Sequence, residues 1–200
     1  MSGIRCRSGS GARKRVRIML VAMILVVLTG IVLLNILAIR HARAMLCFTA
    51  GGERTSKPEA LSVWQRMRVL ATGINLPRPV ASRLPSELGL AYEERTIPCT
   101  NGIRLAAWYI PAEGAGTLSI LFHGYGAEKS GLLPEAALFH KVGCSVLLVD
   151  FRGSGGSSES YTTVGIAEAD DVAEAVAYAR ANLPHSKMVL FGQSMGGAAI

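Results

Sequence analysis

The apolar positions of this chain fall into three regimes. From Ile18 to Ile39 the sequence IMLVAMILVVLTGIVLLNILAI runs for 22 residues without a charge. As a helix it spans ~33 Å, enough to cross the hydrocarbon core of a bilayer. Between residues 40 and 90 no period persists, and Gly51, Gly52, Pro58, Gly73, Pro77, Pro79 and Pro85 interrupt the chain. That stretch reads as a connector with one short helix, in which Leu61, Trp64, Met67, Arg68 and Leu70 share a face that can pack on the body or lie against the membrane surface, packing being the favoured expectation. After Leu90 the pattern becomes regular. Glu93 to Thr100 and Arg104 to Ile110 flank Asn101-Gly102, a strong hairpin signal.

Leu118 to Phe122 and Ser145 to Val149 are continuous apolar runs of the kind found in strands buried on both faces, and the stretch from Leu133 to Val142 between them is helix-like. Ala167 to Asn182 places Val172, Ala175, Val176 and Ala179 on one face. Glu168, Asp170 and Asp171 open that segment and Arg180 stands near its end, as the helix dipole favours. Met188 to Phe191 is another short strand, and Gly192 to Ile200 turns into the next helix. Strands alternating with helices predict an α/β sheet with right-handed crossovers. The expected organisation is a basic tail (1–17), a transmembrane helix (18–39), a connector (40–90) and an α/β domain (91–200).

Charge refines this picture. The formal net charge is +7, but Arg5, Arg7, Arg13, Lys14, Arg15 and Arg17 supply six of those charges ahead of the apolar stretch. Only Arg40 and Arg43 follow it closely. The flank richer in Lys and Arg stays in the cytoplasm, so a single-pass protein with a cytoplasmic N-terminus and a body on the opposite side is expected. A cleaved signal peptide, suggested by Ala42-Arg43-Ala44, fits less well because its apolar core runs only ~7 to 15 residues. The rest of the chain is nearly neutral and lacks a basic stripe, which argues against a nucleic-acid partner. Cys6, Cys47, Cys99 and Cys144 form no CxxC pair and no zinc-ligand spacing with His41, His123, His140 or His185, so neither a metal nor a cofactor is expected.

The chemistry concentrates in two turns. Gly192-Gln193-Ser194-Met195-Gly196 matches GxSxG and sits between the apolar strand MVLF and the small-residue helix start GGAAI. A turn tight enough to project a serine hydroxyl needs strained backbone, and small residues at Gly192 and Gly196 let strand and helix approach. Ser194 is therefore the expected nucleophile. His123-Gly124-Tyr125-Gly126 follows the strand SILF, with Gly124 and Gly126 as turn glycines, and offers backbone amides for an oxyanion. The two donors expected are the N–H groups of Tyr125 and Met195.

In this order and at these intervals, LFHGYG, VDFRGSGGS and FGQSMGG resemble the α/β-hydrolase superfamily, most closely its serine-aminopeptidase-like and lysophospholipase-like hydrolases, a group of esterases, lipases and peptidases. The resemblance covers Leu90 to Ile200; Gln193 stands where many relatives have His. It implies the N-terminal five strands of an α/β-hydrolase sheet, truncated, and a shaping role for His123 in the oxyanion loop. It also implies a structural Asp150, paired with nearby backbone or with Arg152. A phosphate-binding reading of Gly153-Ser154-Gly155 lacks the third glycine, because position 158 is Ser158.

In this fold the triad runs serine, acid, histidine along the chain, and six residues follow Ser194. The acid and histidine are expected downstream of Ile200, the strand Met188 to Phe191 is expected to become a sheet edge, and the isolated fragment is expected not to fold stably. The expected activity is cleavage of a small-molecule or lipid-like carboxylic ester, less favourably an amide, through an acyl-serine. A tethered, inactive binding protein and an acyltransferase using the same serine are the rival classes.

Overall fold

The computed structural model describes residues 10–100 and 102–200. The start of the basic tail, including Arg5, Cys6 and Arg7, and Asn101 of the hairpin turn lie outside the described residues. Helix α1 (Ser10–Leu46) runs without a break through the apolar stretch and past both of its ends. Its large apolar side chains from Val16 to Ile39 are exposed, apart from the half-buried Leu37. Among the described residues it is the one helix long and apolar enough to cross a membrane.

The next 40 residues are fastened at several points to the rest of the chain. The Phe48 amide donates to the Ser160 carbonyl (2.7 Å), Thr162 to Leu46 (2.9 Å) and Gly155 to Pro79 (2.9 Å). The Arg78 guanidinium donates to the carbonyls of Glu159 (2.6 Å), Gly155 (3.2 Å) and Ser157. Phe48 and Leu76 are buried. Helix α2 (Val63–Thr72) begins at a capping box in which Ser62 and Gln65 satisfy each other's amides. It ends against α1: the His41 Nε2–H donates to the Leu70 carbonyl at 2.8 Å, and a Cβ on Gly73 would meet Ala44 Cβ at 3.0 Å. The expected packing of its apolar face on the body is not observed. Trp64, Met67 and Leu70 are exposed, and the half-buried residue is Val69 on the other side. A helical period shows that a face exists and is silent on what meets it.

The body is one five-stranded sheet in the order β1-β2-β4-β3-β5. β1 (Glu93–Pro98) and β2 (Arg104–Ile110) form the antiparallel hairpin, and β2 pairs antiparallel with β4 (Ser145–Val149). β3 (Thr117–Phe122) runs parallel to both β4 and β5 (Lys187–Gly192), with Phe122 opposite Gly192 at their ends. All five residues of β4 are buried, which explains its continuous apolar sequence. Alternate residues serve two cores. Leu147 and Val149 join Phe122, Leu105 and Tyr109 under α4 (Glu168–Asn182) and α5 (Met195–Ala199). Val146 and Leu148 join Trp108, Ile110 and Leu121 against Leu132, Leu133 and Ala136 of α3 (Leu133–Lys141) and the turn before it. β1 and β5 are the two edges of this sheet.

Candidate active site

The parallel pair β3 and β5 ends in two turns that touch. Ser194 lies between β5 and α5, exposed, with φ 52° and ψ −113°, a conformation that costs a non-glycine residue on the order of 1–3 kcal/mol. Close approach explains its neighbours. A Cβ on Gly192 would fall 2.3 Å from the Gly196 carbonyl carbon, and one on Gly196 would fall 2.3 Å from the Phe122 carbonyl oxygen. No side chain fits either gap, so both glycines let α5 turn back over the end of the sheet. The Gln193 amide donates to the Phe122 carbonyl at 3.0 Å, tying the elbow to β3.

The turn after β3 abuts the serine. A Cβ on Gly124 would lie 3.3 Å from the Gln193 carbonyl oxygen and 3.5 Å from Ser194 Cβ. Gly126 takes φ 64°. Among the described residues, neither the Tyr125 nor the Met195 amide has an acceptor. Two unpaired N–H groups flanking an exposed hydroxyl form an arrangement able to receive a developing oxyanion.

The Tyr125 side chain serves the structure, because its hydroxyl donates to the Met45 carbonyl at 2.6 Å and joins the turn to the end of α1. Burial pushes its phenol above the ordinary tyrosine value. Beside it a cavity of about 650 Å³ is walled by Met45, Leu61, Val69, Ile74 and Leu76, with Arg54 at its rim near Gly126.

His123 is fully buried. Its Nε2 accepts from the Phe151 amide (3.1 Å), so the proton resides on Nδ1, which donates to the Gly124 carbonyl (2.8 Å). Burial holds its pKa below the ordinary histidine value and the ring neutral. With both nitrogens engaged, the ring braces the Gly124 turn. His41, His140 and His185 bond the carbonyls of Leu70, Pro111 and Leu183, and no hydrogen bond among the described residues links any histidine to Ser194.

Two buried ion pairs stand behind the site, and sequence reasoning missed their pairing. Asp150 accepts from the amides of Lys129 (2.8 Å) and Gly156 (3.0 Å) and pairs with Lys129 Nζ, which lies 4.4 Å from the centre of the Trp108 ring. Of the two expectations for Asp150, the backbone pairing is found and the Arg152 pairing is not: Arg152 grips Asp171 through Nη2 (2.7 Å), Nε (3.1 Å) and its own amide (3.1 Å). Asp171, in the first turn of α4, is consequently buried. The Gly153 and Gly155 turn holds no ligand space: Cβ atoms there would fall 2.4 Å from the Tyr161 carbonyl oxygen and 1.9 Å from Asp150 Oδ2.

Glu168 is the third hidden carboxylate. Burial alone would raise its pKa, but donors from the Thr162 hydroxyl (2.7 Å), the Thr163 hydroxyl (2.7 Å) and amide (2.9 Å), and the Gly165 amide (2.8 Å) hold it below the ordinary glutamate value. This knot shapes the 162–165 turn, whose Thr162 hydroxyl contacts Met195 Sδ at 3.5 Å. The polar run SSESYTT marks a loop, and nothing in its spacing points to Glu168. Cys47, Cys99 and Cys144 are free thiols, and burial pushes Cys99 up to about 11. Among the described residues no cluster of His, Cys, Asp or Glu is placed to hold a metal.

Comparison with known proteins agrees with this geometry. Residues 120–200 match the family model of the alpha/beta hydrolase fold. Alpha/beta hydrolase domain-containing protein WAV2 of Arabidopsis thaliana is 29% identical over 117 residues, covering 57% of this chain and 38% of that protein. Uncharacterized membrane protein YNL320W of Saccharomyces cerevisiae is 32% identical over 118 residues, covering 57% of this chain and 40% of that protein. The structure of the Pyrococcus furiosus esterase Pf2001 aligns with a TM-score of 0.58 and 31% identity, over 62% of this chain and 51% of the esterase. The chain thus spans less than half the length of these curated relatives and about half that of the esterase. The mixed sheet, the strained serine turn after β5 and these matches show that the chain carries the N-terminal part of an α/β-hydrolase fold.

Proposed function

We propose that this chain belongs to a membrane-anchored serine hydrolase that cleaves a carboxylic ester through an acyl-serine on Ser194. One observation carries the reading: an exposed serine is held at an unfavourable φ, between a strand and a helix, beside two amides without acceptors. Ser194 Oγ attacks the ester carbonyl carbon as a base takes its proton. The negative charge that develops on the carbonyl oxygen is received by the Tyr125 and Met195 N–H groups. Collapse expels the alcohol, and water then releases the acid from the acyl-serine by the same route. In this fold the acid and histidine follow the serine in the chain, and a downstream pair supplies the base and its orienting carboxylate. The cavity beside Tyr125, apolar along Met45, Leu61, Val69, Ile74 and Leu76 and polar along Arg54, Thr55, Ser56, Lys57 and Asn75, suits an ester with an acyl part and a polar group.

Anchoring rests on α1 and on the similarity to a yeast relative named as a membrane protein. The charge asymmetry around Ile18 to Ile39 favours a cytoplasmic N-terminus with the body across the membrane, and protease protection in sealed cells tests that orientation. The chemistry is tested in the full-length protein with a fluorophosphonate probe and an ester assay. Ser194→Ala is expected to abolish labelling and lower kcat by on the order of a millionfold while the fold remains. Substantial turnover by the purified variant would remove Ser194 from the nucleophile's role.

A further inference from the structure

Helix α2 carries an apolar face that nothing among the described residues covers. Val63, Trp64, Met67 and Leu70 are 72%, 84%, 57% and 55% exposed. At 100° per residue these four positions fall within an arc of about 120°, and Arg66 and Arg68 stand at its two borders. The helix contains no acidic residue. Its opposite side, through Val69, lines the cavity beside Tyr125. A surface helix of a soluble domain would turn the first face inward; this one turns it out.

The position of α2 identifies what lies outside. It is fastened to α1 at His41 and Ala44, two and five residues beyond Ile39, the last residue of the uncharged stretch. At 1.5 Å per residue these attachments lie about 3 and 8 Å beyond the end of that stretch, within the thickness of a headgroup layer. Arg40 and Arg43 stand at the same level and are exposed. An arc of Val, Trp, Met and Leu bordered by arginines has the composition of a helix seated at the boundary of headgroups and acyl chains. Tryptophan prefers that depth, and the arginines meet lipid phosphates. The geometry points to α2 as an interfacial helix, docked by its Val63-Trp64-Met67-Leu70 face into the leaflet on the hydrolase side and holding the cavity beside Tyr125 at the membrane surface. This rests on the reading of α1 as a membrane span. A second copy of the chain is a weaker occupant, because that face would then have to stand clear of a leaflet already at its own level.

The test uses the full chain reconstituted in phosphatidylcholine–phosphatidylglycerol vesicles, with acyl chains brominated either near the headgroup or near the bilayer centre. Of the two tryptophans, Trp108 is buried in the sheet core, so the difference between the wild type and Trp64→Phe reports Trp64 alone. Trp64→Phe replaces an exposed side chain and leaves the fold unchanged. The Trp64 component is expected to be blue-shifted and to lose roughly half its intensity with shallow bromine, and clearly less with deep bromine. Flotation after carbonate extraction is measured on the same samples and reports the span separately. A chain that floats while Trp64 emission is indifferent to bromine would overturn the docking and leave the anchor standing. Unquenched emission that shifts blue with rising protein concentration would assign the face to a second copy, which also overturns the proposal. A chain extracted by carbonate would remove the span and the docking together.

Discussion

Ser194 holds a backbone conformation that glycine adopts freely and serine does not. A serine kept there at a cost on the order of 1–3 kcal/mol is held by its surroundings, since Gly192 and Gly196 are in backbone contact on either side of it. Ser194→Gly should therefore raise stability by about 1 kcal/mol in urea unfolding, after the entropy that glycine adds to the unfolded chain is counted, while eliminating probe labelling. A neutral or destabilising result would show that the strain is relieved in solution. Glu168 supplies a prediction in pH. Its folded pKa lies below the ordinary 4.5, so its stabilisation is present above that value and is lost as pH falls through the lower, folded value. Glu168→Gln should flatten the loss of stability on acidification below about pH 4.5 by close to one proton's worth of slope. An unchanged slope would mean that the carboxylate is not held by its four donors. The serine and the two glycines were legible because GxSxG is a local pattern. Glu168 was not, because its partners are chosen by how the 162–165 turn folds back on α4.

At the scale of elements, paired charges join what the apolar cores leave open. Arg152 after β4 and Asp171 in α4 tie a strand end to the helix covering it, and both are buried. Arg152→Met would strand the Asp171 carboxylate without a partner, and a loss of about 3–5 kcal/mol in thermal or urea unfolding is expected. Combining it with Asp171→Leu should recover much of that loss, because an apolar pair needs no desolvated charge. Recovery failing in the double variant would show that the pair also orders the loop after β4. Local pattern located these elements to within a residue or two: Arg104 to Ile110, Ser145 to Val149 and the helix ending at Asn182 were all visible in it. The pairing of charges was not. An acidic residue near a helix start reads as serving the helix dipole until the neighbouring strand is known to end beside it.

For the whole molecule, strand order decides which edges are open. β2, β4 and β3 have partners on both sides, whereas β1 and β5 have one each. Amide exchange should be slowest in β2, β3 and β4 and fastest in β1 and β5. Protection of β5 equal to that of β4 would reveal association of chains through that edge. The apolar run of Ser145 to Val149 marked an interior strand without naming its neighbours. That β4 inserts between β2 and β3, and so brings the ends of β3 and β5 together at Ser194, follows from long-range pairing that no local period encodes. The same division holds at the other end of the chain. Uncharged length alone established a helix able to span a bilayer, because hydrocarbon thickness is a one-dimensional constraint. The outward turn of Trp64 on α2, the tether from Tyr125 to Met45 and the burial of Asp150, Asp171 and Glu168 were settled by which surfaces meet in three dimensions. Period and composition specify how much surface each segment must hide, and only packing selects the partner that hides it.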